Sequence, residues 1–363
     1  MGPLRSPTRR VSAWILLREW DSGSWPLHNT SLLLALIACA RNAVPLSLGN
    51  RGLNIQSEET LSARFPLFQG VAAYRATPVW RRAAKLRNHP GLLDALHGYC
   101  RDMCMPSSAA WPANKVFGQK FRYITAYSLI GNFVRWSETG EVPPTLKTLQ
   151  DNVPASPRQV ADLIKHLRAG GYVHAMSSPQ DGRAIHLVPT QELLLEVARS
   201  PLACLRAAEV LGEAVPGTCQ RLHSEPEFLA GWIGESVREY RGADILFSPF
   251  PTIVRFSERD AGYMALTAVI GCHYATVLGD QTWQLRPTQD VFARHFKVSR
   301  QHIGNLFLEA RQAGLFAVRE GKIINIEPDL VTEFGNFVIG QMAHYSMMAE
   351  RVADRAKSEN GSA

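Results

Sequence analysis

The sequence predicts a mainly α-helical chain with small β-hairpins, in which one helix-turn-helix unit followed by a hairpin occurs twice. Three observations carry that prediction. Apolar residues recur at helical spacing from about Val71, through Leu92, Leu93, Leu96 and Tyr99, then through Tyr123, Ile124, Tyr127, Ile130 and Val134. A shift of 143 residues lays Pro144-Thr145 over Pro287-Thr288, Ser156 over Ser299, Val160 over Ile303, Leu163 over Leu306 and Gly171 over Gly314 without a gap. After each of those glycines, helical spacing gives way to strand-like alternation.

The match extends upstream with small insertions. Tyr123 and Ile130-Gly131 meet Tyr263 and Ile270-Gly271 at a shift of 140, and Pro90 and Leu93 meet Pro226 and Leu229 at a shift of 136. The expected organisation is therefore a poorly ordered or loosely helical segment over 1–70, a first repeat over 71–214, and a second repeat with a C-terminal helix over 215–363. A length of 363 residues fits that division at roughly 150 residues per domain.

Composition narrows the class. Apolar residues make up 46% and charged residues 20%, ordinary globular usage that excludes wholesale disorder. Six cysteines (Cys39, Cys100, Cys104, Cys204, Cys219 and Cys272) are too few for a secreted disulfide scaffold, so the expected compartment is a reducing cytoplasm. The longest apolar run, Leu32 to Ala40, is about half of the roughly 20 residues that span a bilayer. It ends in Ala38-Cys39-Ala40, a cleavage-like triplet, but Glu19 and Asp21 precede it, and a buried helix after a loose leader is the better reading. A net charge of +7 and a pI near 9.2 favour a polyanionic partner without identifying it.

Within the second copy, Gln289 to Ile303 and Leu306 have helix-turn-helix spacing. Ala293 lets the second helix approach, Val298 plugs the turn, and Ser299 caps the second helix. In the first copy Leu149, Ala155, Ser156, Val160 and Leu163 take those places, and Ser156 with Gln159 forms a capping-box sequence with Pro157 at the first helical position. Gln150 stands where a small residue is expected, and Pro154 and Lys297 stand where the turn usually has glycine. Beyond Gly171, Tyr172 to Met176 and Ile185 to Leu187 alternate around a turn-rich Ser177 to Arg183. Beyond Gly314, Phe316 and Val318 lead through Glu320-Gly321 to Ile323-Ile324-Asn325-Ile326. A helix-turn-helix followed by such a hairpin is a winged helix.

Ser156 to Thr190, and above all the stretch from Asp181 through Arg183-Ala184 to Thr190, resembles the MarR family of bacterial transcription regulators, whose wing reads roughly D-x-R-A-x-x-L-x-L-T. The resemblance implies that Arg183 enters a DNA minor groove and that Asp181 helps to hold it. It is generic over the second copy, whose short wing lacks the Asp-x-Arg pair and offers Arg319 and Lys322. Pro189 departs from the family's leucine. Members of that family dimerise, whereas the duplication here suggests one chain supplying both halves, a monomer acting as a pseudo-dimer, with a homodimer as the alternative.

Helical geometry names the groove-facing side chains. With Val160, Leu163, Ile164 and Leu167 buried, Arg158, Asp162 and Lys165 lie nearly opposite; with Ile303, Leu306, Phe307 and Ala310 buried, Gln301 and Asn305 are exposed, and Arg300 and His302 stand near the helix start. Arginine suits guanine, and glutamine or asparagine suits adenine. On an isolated helix these would be ordinary solvated residues; on the second helix of a helix-turn-helix they point to duplex DNA.

Other chemistry finds little support. His97, Cys100 and Cys104 share one helical face, but a structural zinc needs four ligands, so idle buried cysteines are the better reading and no metal or other cofactor is expected. No phosphate-cradling or nucleophile-elbow motif occurs, and no catalytic residue is nominated. Trp111, Tyr123, Tyr127, Trp136, Tyr263 and Tyr274 are core candidates, with a pocket for a small-molecule effector as the sharper alternative. The function expected is a DNA-binding transcription regulator, a repressor or switch. The alternatives are a plasmid or phage replication initiator and a winged-helix scaffold for protein partners.

Overall fold

Hydroxyl caps start many of the helices, because a side-chain oxygen satisfies an amide that has no partner within the first turn. The computed structural model describes residues 65–105, 116–177 and 183–360. A 3₁₀ turn, Gln69–Tyr74, precedes α1 (Pro78–Leu86), α2 (Leu92–Cys104) and α3 (Lys120–Thr139). Then come α4 (Leu146–Asp151), α5 (Pro157–Ala169), the hairpin β1 (Val173–Ser177) and β2 (Ile185–Pro189), and α6 (Gln191–Val210). The order recurs as α7 (Thr218–Ser224), α8 (Pro226–Gly242), α9 (Pro251–Ser257), α10 (Gly262–Leu278), α11 (Gln289–Phe296), α12 (Arg300–Gln312), β3 (Phe316–Arg319), β4 (Lys322–Ile326) and α13 (Pro328–Asn360). Over the described residues the chain is thus mainly helical with two small antiparallel hairpins. None of its described helices is long and apolar enough to cross a membrane.

Equivalent caps sit at equivalent places. Thr145 and Thr288 accept from the amides of Thr148 and Val291 at the starts of α4 and α11, and Ser156 and Ser299 do the same for Gln159 and His302 at the starts of α5 and α12. Backbone tethers recur as well. The Leu187 amide donates to the Pro144 carbonyl at 2.7 Å and that of Ile323 to Pro287 at 3.0 Å, which fastens each returning strand to the start of its short helix. Tyr172 donates to Leu167 at 2.8 Å and Leu315 to Ala310 at 2.9 Å; Thr190 donates to Tyr172 and Glu327 to Leu315, both at 3.0 Å.

The turns differ for a steric reason. Lys297 takes the left-handed conformation with φ 54°, the one a glycine supplies most cheaply. Proline cannot reach that region, so around Pro154 the first turn closes instead through Ala155 donating to Val153 at 2.9 Å. Gln150, in place of a small residue, donates its amide to the Pro157 carbonyl at 2.9 Å and so ties α4 to α5 by a hydrogen bond. The last hairpin turns through Glu320 and Gly321 at φ 52° and 72°, both left-handed, as a tight two-residue hairpin requires. In the first hairpin the strand runs to Pro189, opposite Val173, and Thr190 caps α6.

The sequence boundary at 214/215 separates the copies along the chain but not in space. Thr60–Ala363 forms one compact unit, because the long helices pack reciprocally: α2 against α10 and α3 against α8, α1 against α13 and α7 against α6, with α6 and α13 against each other. Trp232 of α8 is fully buried and donates its indole N–H to the Tyr345 carbonyl of α13 at 3.0 Å. Beside it the buried Glu235 meets Arg355 at 2.9 Å and Arg351 at 3.6 Å. His295 of α11 donates to the Cys104 carbonyl of α2 at 2.7 Å, so the second short-helix unit is anchored on a helix of the first half.

Of the segment over 1–70 that the sequence leaves poorly ordered or loosely helical, residues 65–70 are among those described, and they pack on the second half. Phe65 is buried against Tyr274, with ring centroids 6.5 Å apart, Phe68 stacks on Phe250, and Asn336 donates to the Pro66 carbonyl at 3.0 Å. Two aromatic anchors outweigh the local proline and glycine content. The Leu32 to Ala40 run lies outside the described residues.

The α3 and α8 backbones approach closely. A Cβ at Gly131 would stand 2.5 Å from Val237 Cγ1 and 2.8 Å from Val237 Cβ, and one at Gly234 would stand 2.7 Å from Val134 Cγ1. Both valines are buried and stiff at the first side-chain torsion, so neither yields. Gly131→Ala is expected to lower stability by about 1–3 kcal/mol. Urea denaturation checks this, and an unchanged midpoint would show that the two helices can part at little cost.

Candidate functional site

Two exposed surfaces carry polar side chains, and one cavity is lined by both polar and apolar ones. The first surface is the outer face of α5. Ser156 Oγ accepts from the Gln159 amide, and Gln159 Oε1 accepts from the Ser156 amide at 3.1 Å, so both residues are committed to the helix start. Arg158, Asp162 and Lys165 are exposed, with Arg158 Nε 4.0 Å from Asp162 Oδ2. That pair is too solvated to hold the arginine in place. His166 and Arg168, which the helical-wheel argument did not single out, are exposed on the same helix. Arg183 is exposed at the foot of β2, while Asp181 lies outside the described residues.

The corresponding surface of the second half is more engaged with itself. Ser299 caps α12; Gln301 and Asn305 are exposed. Arg300 Nε lies 3.0 Å from Asp290 Oδ1, and Arg319 Nε 3.9 Å from Glu320 Oε1, all four being exposed. Lys322 is exposed. His302 is half-buried and donates to the Asp260 carbonyl at 2.7 Å, so this ring holds α12 to the start of α10. Where the first surface has Lys165, the shift of 143 places Leu308, which is 42% exposed. The two faces therefore present different chemistry.

The cavity, about 140 Å³, lies where α2, α3, α6, α9, α10 and α13 converge. Of the six aromatic residues singled out in the sequence, Tyr123 and Tyr263 line it. Tyr127 is buried elsewhere against Ser236, Trp136 packs its ring on His186, and Tyr274 is fully buried, its hydroxyl without a hydrogen-bond partner among the described residues. Trp111 lies outside the described residues. Tyr263 shares a hydrogen bond with Tyr99, which also reaches Ser200 Oγ at 3.3 Å, and Tyr123 donates to the Val197 carbonyl at 3.2 Å. Burial pushes the phenols of Tyr99 and Tyr263 well above the usual tyrosine range. They act as neutral hydrogen-bonding groups.

Arg199, Lys120 and Gln341 at this cavity escaped sequence reasoning, because no local pattern links residues brought together from three distant helices. Burial lowers the Arg199 pKa, and its Nη2 donates to the Met103 carbonyl at 2.9 Å and to that of Met105.

The zinc-like trio is occupied otherwise. His97 Nε2 sits 2.8 Å from Asp280 Oδ2, which Arg101 also meets at 2.6 Å, and Cys100 and Cys104 are buried. Burial raises the thiols, Cys272 to about 11 and Cys219 to about 12, which leaves little thiolate at neutral pH. Among the described residues no group of three or more His, Cys, Asp or Glu could hold a metal ion.

No protein-family model, curated protein or solved structure matches this chain.

Proposed function

We propose that this chain binds duplex DNA sequence-specifically and regulates transcription, as a tandem winged helix in which the two halves of one polypeptide replace the two subunits of a dimer. One observation carries the reading: two helix-turn-helix-hairpin units, built with the same caps and backbone tethers, each expose a polar face on the second helix. A helix held that way is the element that enters a major groove, and a hairpin beside it reaches the backbone or the minor groove. In this reading Arg158 and Lys165 of α5 and Gln301 and Asn305 of α12 face the groove, and Arg183, supported by Asp181, serves the first wing as the resemblance to MarR regulators implies. Lys322 gives the second unit a phosphate contact, and Arg300 and Arg319 give two more once Asp290 and Glu320 yield. The protein acts without catalysis, in the cytoplasm.

Interlocked packing supports a single chain per site, since helices of the two halves already pair reciprocally within one molecule. The recognition helices of such a molecule engage half-sites about 34–36 Å apart. Arg158 against Gln301, and Asp162 against Asn305, make those half-sites unequal. Selection of bound fragments from random or genomic DNA, followed by mass measurement on the minimal fragment, is expected to give one chain per site. Gln301 and Asn305 changed together to Ala should then erase base preference in one half only. Two symmetrically placed chains, each footprinting through its first unit, would overturn the single-chain arrangement.

A further inference from the structure

We infer that Arg135 of α3 and Arg241 of α8 form a binding site for one phosphate dianion per chain, either inorganic phosphate or a small phosphomonoester. Both residues lie on helices other than those assigned to DNA, and the inference does not rest on the DNA-binding reading.

Asn132 of α3 brings the two arginines together. Its side-chain oxygen accepts from Arg241 Nη2 at 2.7 Å, which draws the Arg241 guanidinium onto the face of α3 that carries Asn132. Arg135 stands three residues further along α3, and residues at that spacing are neighbours on one helical face. Two exposed cations from two helices therefore stand side by side. Partial burial, and next the Arg135 charge, lower the Arg241 pKa. The Tyr127 phenol acts in the opposite sense, but burial keeps it neutral at neutral pH.

No described carboxylate closes this pair. Neither arginine makes an ion pair with a described residue, although acids stand close by on both helices. Each of those acids is committed elsewhere. Glu138, one turn beyond Arg135, meets Arg238 at 3.0 Å and Arg355 at 3.4 Å. Glu239 meets Arg351 at 2.8 Å, and Asp244 accepts from the Phe247 amide at 2.8 Å and the Ser248 hydroxyl at 3.2 Å. Two positive charges are left without a counter-charge among the described residues.

Asn132 gives a second, independent sign. The residue is 3% exposed, and its Nδ2 is enclosed without an acceptor among the described residues. The amide is thus turned to serve Arg241, and the cluster holds more donors than acceptors. The oxygens of an anion redress that excess. Two planar guanidinium forks match the oxygens of a phosphate group, and their joint charge matches the dianion that such a group becomes above about pH 6. A DNA phosphodiester carries a single charge and matches less well. The second half has no equivalent: the shift of 140 puts Cys272 and Ala275 where Asn132 and Arg135 stand, and the shift of 136 puts Met105 where Arg241 stands.

Isothermal titration calorimetry of the full chain without DNA, at constant ionic strength, tests this with inorganic phosphate, glycerol 3-phosphate and the monoanionic diester dimethyl phosphate. One phosphate or glycerol 3-phosphate per chain is expected, bound at least about tenfold more tightly than dimethyl phosphate. The tighter of the first two identifies the ligand as the free ion or the ester. Arg135→Gln and Arg241→Gln together should abolish binding, whereas Lys85→Gln, at an exposed cation on α1, should leave it unchanged. Asn132→Asp sets a carboxylate beside Arg241 and should weaken binding about tenfold. Circular dichroism checks each fold, and the wild-type comparison of dianion with diester decides the charge argument even if a variant fails to fold. Equal binding of the diester, binding retained by the double variant, or no binding of either dianion at millimolar concentration would overturn the inference.

Discussion

Trp232→Ala is expected to lower the stability of the chain by about 3–5 kcal/mol, the cost of emptying a fully buried aromatic site. The position joins the halves: the indole is enclosed between α8 and α13, lies 5.3 Å from the Tyr345 ring centre, and donates to the Tyr345 carbonyl. Truncation removes the packing and leaves a helix carbonyl short of one donor. It also loosens the neighbouring Glu235, which is buried and held by Arg351 and Arg355. Denaturant titration followed by two probes checks the result. A loss under about 1 kcal/mol would show that the core relaxes around the cavity. If the halves unfolded in two separate transitions, reciprocal packing would not be what makes them one cooperative body.

Arg158, Lys165 and Arg183 replaced together by Ala are expected to weaken DNA binding by more than a hundredfold. Individual groove and backbone contacts of this kind are worth about 1–3 kcal/mol each, and each lost phosphate contact removes roughly one unit from the salt slope. All three residues are exposed and lie outside the buried core, so the fold should survive. The single variants divide the effect. Arg158→Ala should relax preference at one or two base pairs, because the residue sits at the start of α5. Lys165→Ala should lower the salt slope and leave base preference alone. Fluorescence anisotropy at several salt concentrations, on selected and scrambled duplexes, separates these outcomes. If the triple variant bound selected DNA as wild type does, the first unit would not be the reading head.

Much of the local architecture was legible because it is written in short-range chemistry. The Ser156 and Gln159 capping box, the Ser299 cap and the glycine stops at Gly171 and Gly314 each satisfy or free backbone groups within a few residues. Where a local rule was broken, the structure shows how the chain adjusted. Lys297 accepts the left-handed position, and the Pro154 turn takes another closure. The candidate DNA face was legible for the same reason, since helical periodicity alone separates Val160, Leu163, Ile164 and Leu167 from Arg158, Asp162 and Lys165.

The engagement of His302 was not legible, and neither was the cavity. His302 is named for the DNA face because it stands near the start of the second helix, yet the Asp260 carbonyl that holds it is contributed by the segment before α10. Lys120, Arg199 and Gln341 occupy three helices and converge only through packing.

By itself, then, the sequence determined the helical class, the repeat, the two hairpins and the exposed faces of α5 and α12, because periodicity, caps and turn residues act over a few positions. Tertiary structure alone decided that the copies interlock. Which apolar stripe meets which depends on the steric fit of opposed faces, such as Gly131 against Val237 and Gly234 against Val134, and such a fit between residues about a hundred positions apart leaves no local period to read.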